Sequence, residues 1–416
     1  MGIWDAIFVG GGASGLIGSI MLKRQLPSAR VLVLEKQSRV GKKLLSTGNG
    51  TCNLSNIHIS PNYYHGDDSY FPDYVLTTFP PEHVRTFFES IGVLTEIREN
   101  GRIYPICASA AAVLDCILEE MKERKVSVET NACVTSIQRN GKDFLVKTAT
   151  DEYLTSHIVV CTGGVASPSL GGCDDGYALL QAFGHKKNTV TPSIVQVKTD
   201  TQFVKAVKGL RLNANVSVRE NQKEVSNSFG EVLFTEYGLS GPAVMQVSRA
   251  VGRWETKKQG KMEIALDLFT GNSEDWVYQT LKERKKRFPK RSLEEYLTGM
   301  LQKRIGQTVL RSRQIMPLSR ECGSLTEKEL KTIASTLKEW TFPVFGTKGF
   351  GGAQVTAGGI LTKDFSPLTL ESSCCPHLYA LGEVLDVDGD CGGYNLHWAF
   401  ASALAVSDAI RKDLEA

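Results

Sequence analysis

Val9-Gly10-Gly11-Gly12-Ala13-Ser14-Gly15, near the start of a 416-residue chain, decides the fold. The apolar run Ala6 to Val9 leads into it, and Glu35 follows twenty positions after its last glycine. Strand, Gly-rich turn, helix, second strand and carboxylate, in that order and spacing, form the dinucleotide-binding fingerprint. Gly10 permits the tight turn, Gly12 lets backbone approach a pyrophosphate, and Gly15 lets the helix pack closely on the sheet. Ala13 and Ser14 open a helix whose N-terminus offers unpaired N–H groups and the positive end of a dipole to phosphate oxygens. Glu35, with Lys36 beside it, ends the run Val31-Leu32-Val33-Leu34 and can accept hydrogen bonds from ribose hydroxyls. A carboxylate there repels a 2′-phosphate, so FAD or NAD is favoured over NADP at this position.

Outward from the turn, residues 5–10, 13–26 and 30–35 read as strand, helix and strand, with Pro27-Ser28 breaking the helix. A polar, glycine-rich excursion runs from Val40 to Asn53. Helical patterns near 80–91 and 108–124 precede β-like stretches at 126–137 and 143–149, with Asn140-Gly141 as a hairpin turn. His157-Ile158-Val159-Val160-Cys161-Thr162-Gly163-Gly164 is a second strand running into glycines. Short alternating runs between 190 and 270 predict an antiparallel sheet or small barrel, and 274–340 is helical and charged. Leu378 to Leu381 forms a late strand, followed by Gly382-Glu383 and a helix from about 396 to 411. A nucleotide fold that opens at residue 5 and lacks its last strand until 378 must be discontinuous. The expectation is an α/β chain: a Rossmann domain of residues 1–190 and 346–416, a β-rich, barrel-like insertion at 191–273 and a helical subdomain at 274–345.

A net charge of +3, with 42 % hydrophobic and 22 % charged residues, is that of a soluble globular protein and argues for neither nucleic acid nor an anionic membrane. The one basic run, Lys282 to Arg291, reads as a solvated helix face ending at Pro289. The ten cysteines form no CxxC pair; Cys116, Cys133 and Cys161 sit in apolar patterns and Cys374-Cys375 looks like surface thiols. Reduced thiols point to the cytoplasm. No signal peptide is visible before the first strand, Met1-Gly2 fails the myristoylation pattern, and no apolar stretch is long enough to span a membrane. The seven histidines show no ligand-like spacing, so no metal site is expected. The oligomeric state is not specified.

Three further stretches narrow the reading: Gly41-Lys42-Lys43-Leu44 with Thr47-Gly48-Asn49-Gly50-Thr51-Cys52-Asn53; Phe234-Thr235-Glu236-Tyr237-Gly238-Leu239-Ser240-Gly241-Pro242; and Gly382-Glu383-Val384-Leu385-Asp386-Val387-Asp388-Gly389-Asp390-Cys391-Gly392-Gly393-Tyr394-Asn395-Leu396. With the fingerprint, they make the chain similar, from about residue 5 to 411, to the BaiN-like or aminoacetone-oxidase-like bacterial flavoproteins, whose FAD fold is of the glutathione-reductase type. The resemblance implies FAD and an inserted substrate domain. It also implies either NAD(P)H-dependent reduction of a 3-dehydro-bile-acid Δ4,6 system or oxidation of aminoacetone with peroxide production. The chain departs from the family in three places: Gly50-Thr51-Cys52-Asn53 replaces Gly-Arg-Cys-Asn, Ala166-Ser167-Pro168 lacks an aromatic before proline, and His397 stands where Gln is common.

A flavin does its own hydride chemistry, while the protein positions it and excludes solvent. Glu383 and Asp386 can accept from ribitol hydroxyls, and Gly393, Tyr394, Asn395 and Leu396 lead N–H groups into the last helix. Thr162-Gly163-Gly164 and Gly382 let backbone pass close to the cofactor. Val134 is placed to touch adenine, and Lys42, Lys43 and Asn49 to reach phosphate or flavin. Tyr394 is the first choice for acid/base work; His397 follows, although its place at a helix start disfavours the charged ring and suits a structural histidine, with Tyr237 and Cys52 behind. The run Gly349-Phe350-Gly351-Gly352-Ala353-Gln354 fails as a second fingerprint, because no apolar strand precedes it and no acid follows. NAD(P)H is therefore expected as a transient donor. The preferred reading is an enone reductase of a small molecule; an amine oxidase, an RNA-modifying flavoprotein and a non-catalytic flavin protein are the alternatives.

Overall fold

The apolar run before the glycines forms β1 (Trp4–Val9), the segment behind them α1 (Ala13–Gln25), and the run before Glu35 β2 (Val31–Leu34). From Ala6 onward β1 and all of β2 are buried, which is why both read as continuous apolar runs rather than alternating ones. The computed structural model describes residues 3–257 and 259–416; Met1 and Gly2, where the myristoylation reading falls, lie outside the described residues.

The described chain divides into two units, one of residues 1–191 and 354–416, the other of 192–353. In the first, a seven-stranded sheet runs Ser127–Glu129, β2, β1, Glu152–Val160. The last of these changes partner midway. Glu152 to Thr155 pair antiparallel with Asp143–Lys147, while Ile158 to Val160 pair in parallel with Leu378–Ala380. Ser136–Asn140 completes the hairpin, whose turn falls at Gly141-Lys142, since Asn140 pairs with Asp143 and Gly141 takes φ +64°. The helix Tyr394–Glu415 lies on α1, tied by Ser407 Oγ donating to the Gly18 carbonyl at 2.9 Å.

In the second unit, Val197–Thr199, Gly238–Ser240, Lys223–Phe234, Arg211–Glu220, Met262–Asp267 and Trp340–Thr347 close a barrel. Ala214, Val216 and Val218 alternate inward along one strand, the pattern that announces a half-buried strand. The helices are not a separate subdomain. Val277, Leu281, Leu310 and Ile333 share one core with Val216, Ile264 and Trp340. The capping box at Thr326, whose Oγ1 accepts from Glu329 N at 3.2 Å while the Glu329 carboxylate accepts from Thr326 N at 2.8 Å, starts the helix Glu327–Lys338. The second unit continues past the expected boundary at 346, because Trp340–Thr347 pairs on both sides and closes the barrel.

That strand also corrects the reasoning about Gly349: a strand does precede it. It is an antiparallel barrel strand, however, and Gly349–Gly352 makes a single helical turn, not a nucleotide-binding helix. Cys161 is buried as its pattern implies, whereas Cys133 is exposed and Cys116 half-buried; of Cys374-Cys375 only Cys374 is exposed. Among the described residues no helix is long and apolar enough to cross a membrane.

Candidate cofactor site

Gly10 takes φ +123°, and a Cβ there would stand 2.6 Å from the Cys161 carbonyl oxygen. A Cβ on Gly15 would run into the Gly10 carbonyl oxygen. Both glycines are forced by close approach, one in the turn and one where α1 crosses it. Gly12 differs: it caps α1, and nothing lies within 4 Å of where its Cβ would be. No side chain caps α1 and no acid sits in its first turn, so the helix end is left for an anion. Glu35 is held by two backbone donors, Gly11 N to Oε2 at 2.8 Å and Gln37 N to Oε1 at 2.7 Å.

Val9, Glu35, Lys36, Ala132, Val134 and Thr162 line one crevice at this turn. Val134 and Glu35 therefore line the same crevice. Lys36 turns to Asp175 at 3.1 Å and Lys42 to Gln37 at 2.8 Å, which leaves Lys43 as the lysine directed to the other motif. Lys43 Nζ donates to Glu383 Oε2 at 2.8 Å. Glu383 Oε1 accepts from Thr356 N at 2.9 Å, and Thr356 Oγ1 accepts from Ala166 N at 2.9 Å. Gly164 is wedged against Thr356, while Gly163, at φ +73°, faces open space. Asn49 is exposed in a left-handed turn.

The C-terminal motif meets the fingerprint directly, since a Cβ on Gly382 would lie 3.1 Å from Ser14 Oγ. The last helix holds both backbone groups of Gly382: its N–H donates to Ser402 Oγ at 3.2 Å and its carbonyl accepts from Trp398 Nε1 at 3.1 Å. Asp386 is buried and accepts from Asn188 Nδ2 at 2.8 Å. The Asn395 amide clasps the loop both ways, accepting from Gly389 N at 2.8 Å and donating to the Gly389 carbonyl at 2.7 Å. Asn56 Nδ2 donates to the Gly392 carbonyl at 3.0 Å, and Gly393, at φ +100°, presses on the Ser55 carbonyl. Leu396 packs on the core.

Tyr394 stacks on Tyr63 at 4.7 Å between ring centroids, and Tyr64 Oη donates to the Tyr394 carbonyl at 2.9 Å. Burial, then the neighbouring Tyr63 and Asp390, push its phenol up to about 12. His397 is corrected to a structural histidine. It is fully buried, its Nδ1 lies 2.9 Å from Ser55 Oγ, and burial pushes its imidazole down to about 3. Such a ring neither reaches substrate nor carries a proton at neutral pH. Cys52 is likewise buried, its thiol pushed up to about 11 by desolvation. Tyr237 belongs to the second unit, with Lys348 Nζ 4.6 Å from its ring centroid. Thr356, Asn188, Asn56, Tyr63 and Tyr64 were not legible as site residues. Only the pairing of Tyr64–Gly66 with Val387–Gly389 places the tyrosines.

The glycine turn, Glu35, Thr162-Gly163 and Gly382 all follow the carboxyl ends of neighbouring parallel strands, where α/β sheets bind nucleotides. A helix end open to phosphate and a crevice ending on a fixed carboxylate fit FAD. A model of the HI0933-like protein Rossmann domain matches residues 4–409. The chain belongs to the HI0933-like family. Among relatives of this HI0933-like chain, a 3-dehydro-bile acid Δ(4,6)-reductase of Clostridium scindens is 35 % identical, over 95 % of this chain and 96 % of its own length. That bears out the BaiN-like resemblance read from the three motifs. Ribosomal RNA dihydrouridine synthases of Escherichia coli and Haemophilus influenzae are 29 % and 27 % identical, covering 97 % and 98 % of this chain and 96 % and 98 % of their own. A solved 3-ketosteroid Δ1-dehydrogenase of Sterolibacterium denitrificans shares the fold at a TM-score of 0.51 and 12 % identity, covering 99 % of this chain and 100 % of its own. A quinol-fumarate reductase does so at 0.51 and 16 %, covering 99 % and 72 %.

Proposed function

We propose that this FAD-dependent oxidoreductase reduces a carbon–carbon double bond conjugated to a carbonyl, with NAD(P)H as its transient electron donor and a small molecule as its substrate. One observation carries the reading: the relatives' names, different as they are, describe the same chemistry. A Δ4,6 bond system beside a 3-ketone is an unsaturated carbonyl. So is uracil, whose C5–C6 bond is conjugated to a carbonyl and is the bond reduced in dihydrouridine.

FAD, when bound, supplies the hydride. The residues of this chain do the rest. The open end of α1 and the backbone at Gly12 would receive phosphate, Glu35 and the Val134 crevice would receive adenosine, and Lys43, Glu383 and Asp386 would serve the ribitol. The N–H groups opening the last helix favour negative charge there, by roughly 0.3–2 kcal/mol. Reduction of an unsaturated carbonyl also needs a proton at the α-carbon. Tyr394, like any phenol, keeps its proton at neutral pH, and the Tyr63 stack fixes its ring. We assign it as the donor.

A second reading, reduction of uridine in RNA, is favoured by the two dihydrouridine synthases among the relatives. The basic run supports it weakly, since much of it is engaged within its own unit. Lys285 donates to the Leu325 carbonyl at 2.6 Å, Arg284 to the Thr298 carbonyl at 2.8 Å, and Lys286 pairs with Glu283 at 3.5 Å.

Anaerobic mixing of flavin-loaded protein with NADH, NADPH or aminoacetone, followed by the visible flavin band, tests the proposal. Bleaching by a nicotinamide and recovery on adding a 3-keto-4,6-diene steroid is the expected result. Recovery with ribosomal RNA alone would move the assignment to the second reading. Bleaching only by aminoacetone, with peroxide on admitting air, would overturn both.

A further inference from the structure

His157, His377 and Asp413 are far apart in sequence, yet one ligand atom from each lies within 4.8 Å of the others. His157 Nε2 is 2.8 Å from Asp413 Oδ2, and His377 Nδ1 is 3.3 Å from the same oxygen. The cluster belongs to the nucleotide-binding unit but not to its cofactor site. Asp413 lies near the far end of the helix that begins at Tyr394, about 28 Å along it at 1.5 Å per residue. His157 and His377 sit before the strand ends that carry Thr162 and Gly382.

His157 Nδ1 lies 3.0 Å from the Asp5 carbonyl oxygen and 2.9 Å from Ser156 Oγ. With Nδ1 donating to that carbonyl, which only accepts, Nε2 keeps a lone pair for a cation beside the carboxylate 2.8 Å away. His377 Nδ1, a buried atom 3.3 Å from the same carboxylate oxygen, makes no hydrogen bond. The two rings meet at 77° with centroids 4.9 Å apart. One cation satisfies all three groups.

We propose that His157, His377 and Asp413 form a binding site for a divalent transition metal of the zinc class. Two imidazole nitrogens and one carboxylate suit zinc, nickel or copper and not the oxygen-seeking magnesium or calcium. Tetrahedral zinc with bonds of roughly 2.0–2.2 Å sets its ligand atoms roughly 3.3–3.6 Å apart. His377 and Asp413 already stand at 3.3 Å, while the 2.8 Å contact of His157 with Asp413 would open by about half an ångström to admit the ion. The Asp5 carbonyl on Nδ1 is the outer partner that orients a metal-binding histidine. Distance from the cofactor site makes the metal a clasp between the sheet and the end of the last helix.

Chelator-stripped, flavin-loaded protein titrated with Zn²⁺ and with Co²⁺ tests the site. One equivalent of zinc per chain, retained through gel filtration and raising the melting temperature, is expected. Co²⁺ should give visible d–d bands without the near-ultraviolet band of thiolate ligation, which separates this site from the ten free cysteines. His377→Ala and the near-isosteric Asp413→Asn should each weaken zinc by at least about tenfold, while keeping the flavin. Should His377→Ala fail to fold, Asp413→Asn decides alone. Wild-type protein that binds no zinc, binds it with a thiolate band, or binds it equally well after Asp413→Asn would overturn the proposal in favour of a plain His157–Asp413 hydrogen bond.

Discussion

A methyl group added at Gly15 has nowhere to go but the Gly10 carbonyl oxygen, whereas one added at Gly12 meets nothing in the protein. The two substitutions should therefore separate folding from binding. Gly15→Ala should destabilise the cofactor-free protein by about 1–3 kcal/mol, as overpacking does, and lose flavin as well. Gly12→Ala should melt as wild type without cofactor yet bind FAD at least about tenfold more weakly, since a tenfold loss is only about 1.4 kcal/mol and the methyl occupies the phosphate approach. Thermal melts of stripped protein, paired with flavin titration, distinguish the cases. His397 makes a separate prediction. Its folded imidazole is pushed down to about 3 from an ordinary 6.5, so the unfolded chain binds a proton that the native state refuses. Its contribution is fully present above 6.5 and is lost as pH falls through that window, at up to about 1.4 kcal/mol per pH unit. His397→Gln should flatten the acid side of the stability profile measured by denaturant titration. An unchanged slope would show that the ring is not buried neutral.

At the scale of elements, the loop from Val387 to Gly393 is held by side chains as well as by the short ladder of Val387–Gly389 with Tyr64–Gly66. Asn395→Ala removes both halves of the clasp on Gly389, at about 1–3 kcal/mol for the stranded backbone groups. We expect the variant to retain FAD, through the untouched α1 turn, but to turn over more slowly, with kcat falling more than KM rises. Steady-state kinetics on flavin-matched protein would show it. The elements legible in the sequence were those whose period or glycine spacing is local: β1, α1, β2, the barrel strands and the last helix. The Glu383 network was half legible, because Glu383 and Lys43 carry motifs while Thr356, which joins Glu383 to Ala166, lies in a three-residue strand with none. His397 stayed between a catalytic and a structural role in the sequence, because only its burial separates the two. The histidine cluster was invisible for the opposite reason: only parallel pairing of Glu152–Val160 with Leu378–Ala380 brings His157 and His377 together.

At the scale of the whole molecule, each unit has its own hydrophobic core, one built on the sheet around Ile7, Leu32 and Val159, the other on the barrel around Val216, Ile264 and Trp340. Residues 192–353, expressed alone, should give a cooperative thermal transition by circular dichroism and take up no FAD. A non-cooperative melt would mean that the barrel depends on its host. The two units also differ in when their chain becomes complete. The barrel's last strand ends at Thr347, whereas the sheet waits for Leu378–Ala380 and for a helix that ends at Glu415. On the ribosome the later-starting unit is thus the first to be finished, and the earlier strands of the sheet stay unsealed until Leu378–Ala380 has been made. Nascent chains halted before Leu378 would carry a finished barrel beside an open sheet, so flavin uptake would report that the late strand and the last helix have been made.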